Sequence, residues 1–307
     1  MKSDSFQFES LEGQQIFVHK WLEEGESPRG VVQIAHGMAE HSGRYERFAR
    51  ELVKNGYIVY AHDHRGHGRT AGLAGEMGHF SDDNGWNLVV EDMYQLTGII
   101  REEYPDLPIF LFGHSMGSLL SRDYISKYGQ LLTGVILAGT VGDPGFAGRV
   151  GTFLARLERK LMGTRKRSVL INKLSFGGYN KTFQPARTEF DWLSRDKNEV
   201  DNYIDDPYCG NPCSTGFYYD LLSGIQSINK MDNINKVPKD LPIYFISGEQ
   251  DPAGEMSKGV LGVYQKYKKA GLKEIRYKFY PEARHELLNE INRQEVFQDI
   301  INWLNKH

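Results

Sequence analysis

Several common features are absent from this sequence of 307 residues. Its two cysteines, Cys209 and Cys213, are too few for a disulfide framework. Residues 1–9 are mostly polar or acidic and lack the apolar segment of a signal peptide. No apolar run approaches the length that spans a bilayer, and the net charge of −3 provides no field that would attract nucleic acid. We therefore expect a cytoplasmic protein that does not bind nucleic acid, with peripheral membrane contact left open.

Short apolar segments alternate with helical patterns through residues 1–140. Strands are predicted at 15–22, 30–35, 57–61, 109–112 and 134–138, with helices between most of them. Strands that are joined through helices run parallel, and the helices cover both faces of their sheet. The pattern therefore predicts the α/β class, with a mainly parallel sheet.

The alternation stops near Thr140 and resumes near residue 238. Between these points the sequence predicts helices and turns without a buried strand, over a length far greater than a connecting loop. Further strands are then predicted at 241–246 and 275–280, with a closing helix at 295–304. We therefore predict one α/β domain from residues 1–140 and 238–307, and a helical cap, or lid, from residues 141–237.

The pentapeptide Gly113-His-Ser-Met-Gly117 is the most informative stretch. It follows the strand predicted at 109–112, and apolar residues at helical spacing follow it until Gly129. A tight strand-to-helix turn exposes the serine hydroxyl, and the helix N-terminus directs amide groups to the same point. The alternative is a chance match in a loop, but this context favours Ser115 as a nucleophile.

A serine nucleophile needs a base and a third group that orients the base. In hydrolases with this turn the chain order is nucleophile, acid, histidine. After His114 the chain contains only His285 and the terminal His307, so His285 is the predicted base. Glu249 and Asp251 both follow the strand at 241–246, and we prefer Asp251 because it lies further into the loop, at an Asp-Pro turn.

An oxyanion hole requires two backbone N–H groups. Met116, next to the nucleophile, is predicted to supply one. The other is assigned to Met38, in the turn that follows the strand at 30–35. His36, at the start of this turn, is interpreted as structural.

A cluster of three histidines raises the alternative of a metal site. His62, His64 and His67 follow the strand at 57–61, and imidazole is the commonest metal ligand in proteins. However, the positive charge of Arg65 within the cluster disfavours a cation, and Asp63 is the one carboxylate beside it that could complete a ligand set. We therefore predict a loop packed below the active site, with no metal and no cofactor.

The cap contains a basic segment at 149–167. Seven basic residues stand there against Glu158, on a helix whose apolar stripe is Val150, Phe153, Leu154, Leu157 and Leu161. Such a helix can contact an anionic lipid surface, although a solvated basic face is the interpretation we prefer. Cys209 and Cys213 are expected to be free thiols, with a regulatory disulfide as the alternative. The basic residues are Arg149, Arg156, Arg159, Lys160, Arg165, Lys166 and Arg167.

Five blocks, at 36–45, 61–68, 113–117, 247–252 and 284–290, resemble the monoacylglycerol lipase and lysophospholipase branch of the α/β-hydrolases. This group is also described as serine aminopeptidase-like. The resemblance implies an α/β-hydrolase fold without a cofactor. It covers the cap only at 192–196 and 206–207, and Ser118 stands where many members have a glycine. It implies the catalytic triad Ser115, Asp251 and His285, with Met38 and Met116 as oxyanion donors.

The resemblance implies a serine hydrolase that cleaves carboxylic esters through an acyl-enzyme on Ser115. Monoacylglycerols, lysophospholipids and other single-chain esters are the expected substrates, and the oligomeric state is left open. The alternatives are a small-ester esterase, a non-catalytic binding module, and an aminopeptidase of the same fold. An aminopeptidase would need an acid in its pocket, for which Glu199, Asp205 and Asp206 are available.

Overall fold

A computed structural model describes residues 1–25, 27–72 and 76–307. Eight strands form one sheet in the order β1-β2-β4-β3-β5-β6-β7-β8. β1 pairs antiparallel with β2, and β2 with β4, whereas the neighbours from β4 to β8 pair in parallel. This confirms the predicted α/β class. The strands are β1 (Lys2–Glu9), β2 (Gln15–Leu22), β3 (Gly30–Ala35), β4 (Tyr57–His62), β5 (Ile109–His114), β6 (Gly134–Ala138), β7 (Ile243–Gly248) and β8 (Ile275–Tyr280).

Eleven α-helices occur in the described residues. Every residue of β3 to β7 is buried, as expected for parallel strands that carry helices on both faces. The helices are α1 (Glu46–Lys54), α2 (Gly68–Ala71), α3 (Gly85–Glu103), α4 (Met116–Tyr128), α5 (Gly145–Met162), α6 (Val169–Phe176), α7 (Lys197–Asp205), α8 (Thr215–Ile228), α9 (Met231–Ile234), α10 (Lys258–Lys269) and α11 (Arg293–Leu304).

Two apolar clusters cover the two faces of the sheet. Ile109 and Leu111 belong to one cluster, whereas Phe110 and Phe112 belong to the other, because successive side chains of a strand point to opposite faces. The first cluster joins α3, α4 and α10 to the sheet, and the second joins α1 and α11. The core therefore holds the carboxyl ends of the parallel strands at one edge of the sheet.

β1 was not predicted from the sequence. Its first four residues are exposed, and only Phe6 and Phe8 are half-buried against the core. The strand is held by its eight-residue antiparallel register with β2 and lies at the edge of the sheet. Strand prediction depends on an alternation of apolar and polar residues, and only two apolar residues of β1 contribute to such a pattern.

The segment predicted as a cap contains α5 to α9. We call residues 145–176, with α5 and α6, the outer cap, and residues 190–210 the inner cap. Phe217, Leu221 and Ile225 of α8 are buried in the same cluster as α3 and α4, so α8 is packed into the core. The division of the chain at residues 140 and 237 stays a prediction.

Most of the predicted apolar stripe of α5 is exposed to solvent, and only Leu154 of the stripe packs against the core. Phe153 is 65% and Leu161 is 75% exposed, whereas Gly148 and Ala155 are buried. The small residues allow α5 to pack closely on α8, which leaves most of the large apolar side chains outside. Among the described residues, no helix has the length and apolar character needed to cross a bilayer.

Candidate active site

Ser115 lies on a strained turn between β5 and α4. Its φ is +51°, a value that residues with a side chain rarely adopt. The turn is closed by Gly113 and Gly117. A Cβ on Gly117 would lie 2.0 Å from the carbonyl oxygen of Ala35, so only glycine fits there. This geometry raises the serine side chain above the sheet edge at the N-terminus of α4.

The structure brings Ser115, His285 and Asp251 into one hydrogen-bonded line. His285 Nε2 lies 2.9 Å from Ser115 Oγ, and His285 Nδ1 lies 2.9 Å from both carboxylate oxygens of Asp251. Asp251 is fully buried and His285 is 2% exposed. With the Nδ1 proton donated to Asp251, His285 Nε2 is free to accept the proton of the serine hydroxyl.

Glu249, the competing acid, does not reach the histidine. Its side chain is exposed, and its backbone N–H donates to the carbonyl of Tyr280. Asp251 turns inward instead, where it also accepts from the N–H of Ala253 at 2.9 Å. The turn after β7 therefore decides between two carboxylates that lie two positions apart in the sequence.

The backbone N–H groups of Met38 and Met116 are both available as donors. Met38 lines the same cavity as Ser115, and Met116 is the first residue of α4. Within the part of the chain that the structure describes, neither N–H donates to another protein group. Both amides can therefore stabilise a negative oxygen beside Ser115.

A buried network of charged groups surrounds these loops. Glu40 Oε1 accepts from the N–H of Gly37 at 2.6 Å and from His114 Nδ1 at 3.1 Å. Arg44 joins Glu40 to Glu286, with each distance at 2.7 Å. The network was missed from the sequence because Arg44 and Glu286 are 242 positions apart. It connects the turn of Met38, the residue before Ser115, and the residue after His285.

Charge balance in this network shifts two pKa values. Burial alone would raise the pKa of Glu40, but the hydrogen bond from His114 and the charge of Arg44 hold it well below its usual range. Burial alone would lower the pKa of His114, but the hydrogen bond and charge of Glu40 raise it. Both ring nitrogens of His114 lie beside acceptors, Nδ1 beside Glu40 and Nε2 3.3 Å from the carbonyl oxygen of His285, an arrangement that favours a protonated imidazole opposite the second carboxylate.

The three histidines of the predicted alternative metal site are buried below the turn of Met38. Burial lowers the pKa of His62 to about 3, and it also lowers the pKa values of His64 and His67. Their ring nitrogens do not converge as a ligand set. Among the described residues, one group brings three ligand atoms within 4.8 Å of one another, and it consists of His41, Asp206 and Cys209.

That second group is poorly suited to a cation. His41 Nδ1 accepts from the N–H of Gly43, so the ring proton lies on Nε2, which donates to Asp206 at 2.9 Å. No lone pair of His41 is then free for a metal. Both cysteines are free thiols, and burial raises the pKa of each, to about 12 for Cys213.

The inner cap holds the loop that carries His285. The N–H of Glu286 donates to the carbonyl of Leu193 at 2.7 Å. Glu290, which is fully buried, accepts from the N–H of Arg284 at 2.9 Å and from Arg195 Nε at 2.8 Å. The conformation of the histidine loop therefore depends on residues of the segment predicted as a cap.

A cavity of about 670 Å³ opens above Ser115 and His285. Phe176, Trp192 and Leu193 supply apolar walls, and Asn172 and Asn211 supply polar ones.

The acids considered for amine binding do not line this cavity. Glu199 pairs with Arg47 at 2.8 Å, Asp206 pairs with His41, and Asp205 is exposed. Glu189 does line it, and no spacing in the sequence pointed to that residue.

The chain matches the family model described as serine aminopeptidase, S33, over residues 26–292. It is 29% identical to human monoglyceride lipase over 303 residues, which cover 97% of this chain and 89% of the lipase. It is 28% identical to a monoacylglycerol lipase of Mycolicibacterium smegmatis, with 98% and 96% covered. The crystal structure of a thermostable carboxyl esterase from Bacillus coagulans, in complex with glycerol, superposes with a TM-score of 0.92 at 33% identity, covering 100% and 99%.

Proposed function

Because the chain belongs to the serine aminopeptidase S33 family of α/β-hydrolases and is a carboxylic ester hydrolase, we propose that it hydrolyses monoacylglycerols through an acyl-enzyme on Ser115. The main support is the hydrogen-bonded line from Ser115 Oγ through His285 to Asp251, at the base of the cavity. The two similar lipases support the substrate class.

In the proposed reaction, Ser115 Oγ attacks the ester carbonyl while His285 Nε2 takes its proton. The N–H groups of Met38 and Met116 stabilise the oxyanion, and Asp251 stabilises the imidazolium. His285 then delivers the proton to the leaving glycerol oxygen, and the acyl group stays on Ser115. Water, deprotonated by His285, attacks the acyl-enzyme, which releases the fatty acid and returns the proton to Ser115.

The cavity supports a substrate with one acyl chain. Its volume of about 670 Å³ lies within the range of small-molecule sites, roughly 300–1,000 Å³. Phe176 and Trp192 offer apolar surface to a hydrocarbon chain, and Asn172 and Asn211 offer hydrogen-bonding groups to an alcohol. Lysophospholipids and other single-chain esters fit the same description and are included in the proposed class.

The proposed function is tested by turnover of monoacylglycerols from octanoyl to oleoyl, on the wild type beside Ser115→Ala. We expect kcat to fall by about 10⁴-fold or more, since loss of one triad member leaves only the oxyanion hole and binding. Circular dichroism should show an unchanged fold. Turnover retained by Ser115→Ala would contradict the assignment, as would a wild type that is inactive on every chain length.

Glu189 favours a second candidate, hydrolysis of aminoacyl substrates. The residue lines the cavity, where its carboxylate would pair with the free amine of such a substrate. Turnover of aminoacyl p-nitroanilides by the wild type, lost in Glu189→Gln while monoacylglycerol turnover persists, would support this activity. No turnover of the anilides would exclude it.

We further propose that the outer cap docks on an anionic lipid surface, from which a membrane-borne substrate would enter. Of the seven basic residues in 149–167, three bind the part of the chain before residue 140: Arg159 at Asp83, Arg165 at Asp82, and Arg167 at the carbonyl of Met77. The other four are exposed. The same two helices, α5 and α6, expose large apolar side chains, which are Phe146, Val150, Phe153, Leu157, Leu161, Met162, Val169, Leu170 and Leu174.

Apolar side chains that enter the interface and cations that pair with lipid phosphates act together in such docking. We expect the protein to sediment with vesicles that contain phosphatidylglycerol and less with pure phosphatidylcholine. Leu161→Ser should reduce binding by about tenfold, since the burial of one leucine contributes about 1.5–3 kcal/mol.

Leu11, 68% exposed in the β1–β2 turn, provides the matched control. Leu11→Ser should bind vesicles as the wild type does. Equal loss in both variants, or equal binding to the two lipid compositions, would contradict docking through the outer cap.

A further inference from the structure

The turn that carries Met38 contains a strained residue. Ala39, directly after Met38, has φ +54°, in the left-handed region that residues with a Cβ sparsely populate. Because Ala39 directly follows Met38, a relaxation of this torsion would shift the backbone of Met38 and, with it, the Met38 N–H that lies in the same cavity as Ser115. The turn therefore needs contacts that hold Ala39 in place.

Those contacts come from the inner cap. The carbonyl of Ala39 accepts the hydroxyl of Tyr203 at 2.9 Å and the N–H of Gly210 at 2.9 Å. The Gly210 N–H also lies 3.1 Å from the oxygen of Tyr203, so the three groups form a closed set. A side chain of the inserted segment thus fixes the backbone orientation of the strained residue.

Tyr203 is itself firmly held. Its ring lies 5.1 Å from the ring of Phe190 and 4.9 Å from the guanidinium of Arg44, and the residue is 5% exposed. Arg44 is bound in turn to Glu40 and Glu286. Burial raises the pKa of Tyr203 well above its usual value, which keeps the phenol protonated as a hydrogen-bond donor.

We infer that Tyr203 is a positioning residue for the oxyanion hole, because its hydroxyl holds the Ala39 carbonyl and thereby directs the Met38 N–H toward the reacting oxygen. This inference rests on the proposed function, since it assigns Met38 as an oxyanion donor. It differs from a packing role, in which Tyr203 would only close the cavity and stabilise the inner cap. The two roles predict different kinetic effects.

Tyr203→Phe removes one oxygen and keeps the ring packing. We expect kcat on a soluble p-nitrophenyl ester to fall by about tenfold with KM nearly unchanged, since complete loss of an oxyanion donor costs about 10²–10³. The affinity of an alkyl boronic acid should fall by a similar factor, because its tetrahedral adduct with Ser115 places an oxygen in the same hole. The melting temperature should change little.

Two further variants separate positioning from packing. Glycine adopts positive φ without steric cost, so Ala39→Gly in the Tyr203→Phe background should recover at least about threefold of the lost kcat. Tyr208 lies in the same segment with its ring exposed to solvent, and Tyr208→Phe should behave as the wild type.

An unchanged kcat and boronate affinity in Tyr203→Phe would overturn the inference. A rise in KM together with a lower melting temperature, and no rescue by Ala39→Gly, would overturn it in favour of packing. A wild type without Ser115-dependent turnover would overturn the proposed function, and this inference with it.

Discussion

The outer and inner caps both lie in the segment predicted as a cap, but they differ in how they contact the rest of the protein. The outer cap exposes large apolar side chains, such as Phe153 and Leu161, and reaches the body partly through surface ion pairs. The inner cap is joined to the catalytic loops by buried groups, Tyr203 and Glu290 among them. The predicted cap therefore combines a part that is largely exposed with a part that contacts the catalytic loops.

The ion pairs that connect the outer cap and the inner cap to the rest of the protein illustrate the difference. Asp82 and Arg165, which connect the body to the outer cap, are 53% and 57% exposed. Such pairs contribute about 0–1 kcal/mol. Arg195 and Glu290, which connect the inner cap to the histidine loop, are 18% and 0% exposed. Breaking a buried pair costs about 3–5 kcal/mol, because one charge is left without its partner.

The largest expected effect is a loss of stability at low pH in the region that the inner cap contacts. His36, His62, His64 and His67 lie under the turn that the inner cap holds, and burial lowers the pKa of each, to about 3 for His36 and His62. A group with a depressed pKa takes up its proton more readily when unfolded. Stability is therefore lost as the pH falls from the ordinary histidine value of 6.5 toward 3.

Since one pKa unit corresponds to about 1.4 kcal/mol, we expect the free energy of unfolding to fall by several kcal/mol between pH 6.5 and 4. Urea titrations across this range measure the effect. The pKa of Asp82 is lowered to about 2, mainly by its hydrogen bond from Arg165, so the ion pair of the outer cap should persist until the pH falls below the ordinary aspartate value of 3.8. Stability that is flat between pH 6.5 and 4 would contradict this prediction.

Glu290→Gln tests the inner cap directly. Loss of the buried charge opposite Arg195 should lower the free energy of unfolding by about 3 kcal/mol. Turnover should fall as well, because the carboxylate also holds the N–H of Arg284, the residue before His285. Chemical denaturation and ester hydrolysis on the same samples provide the two measurements.

Glu282 is the matched control for Glu290. It also contacts Arg195, at 3.4 Å, but it is 76% exposed. Glu282→Gln should change stability by less than about 0.5 kcal/mol. Equal effects of the two substitutions would show that burial does not make the contact of Glu290 with Arg195 stronger than the exposed contact of Glu282.

Asp82→Asn addresses the outer cap and should have the smallest effect. Stability should change by less than about 1 kcal/mol, while amide hydrogen exchange in α5 should become faster, because the segment directly after α5, which carries Arg165, loses an attachment to the body. Asp240→Asn, which breaks an exposed pair with Lys273, should leave exchange in α5 unaltered. A large loss of stability without faster exchange would mean that the outer cap is held as tightly as the inner cap.

Much of the fold was predictable because its signals are local. Apolar runs in β3 to β7 and the Gly-x-Ser-x-Gly turn act over a few residues, so propensity and turn geometry are sufficient. The order of nucleophile, acid and histidine, with few histidines downstream, identified Ser115 and His285. The α/β class and the ester hydrolase activity were confirmed, whereas the catalytic roles of single residues stay predictions.

Tertiary structure decided what depends on contacts between distant parts of the chain. Periodicity predicted that α5 is amphipathic, but packing through small residues such as Gly148 and Ala155 left most of its large apolar side chains exposed to solvent. The choice of Asp251 over Glu249 followed from the direction of one turn. The bond from Tyr203 to Ala39 joins residues 164 positions apart. A sequence pattern describes the side chains and backbone groups of a short segment. Only the folded chain determines which distant group each of them contacts.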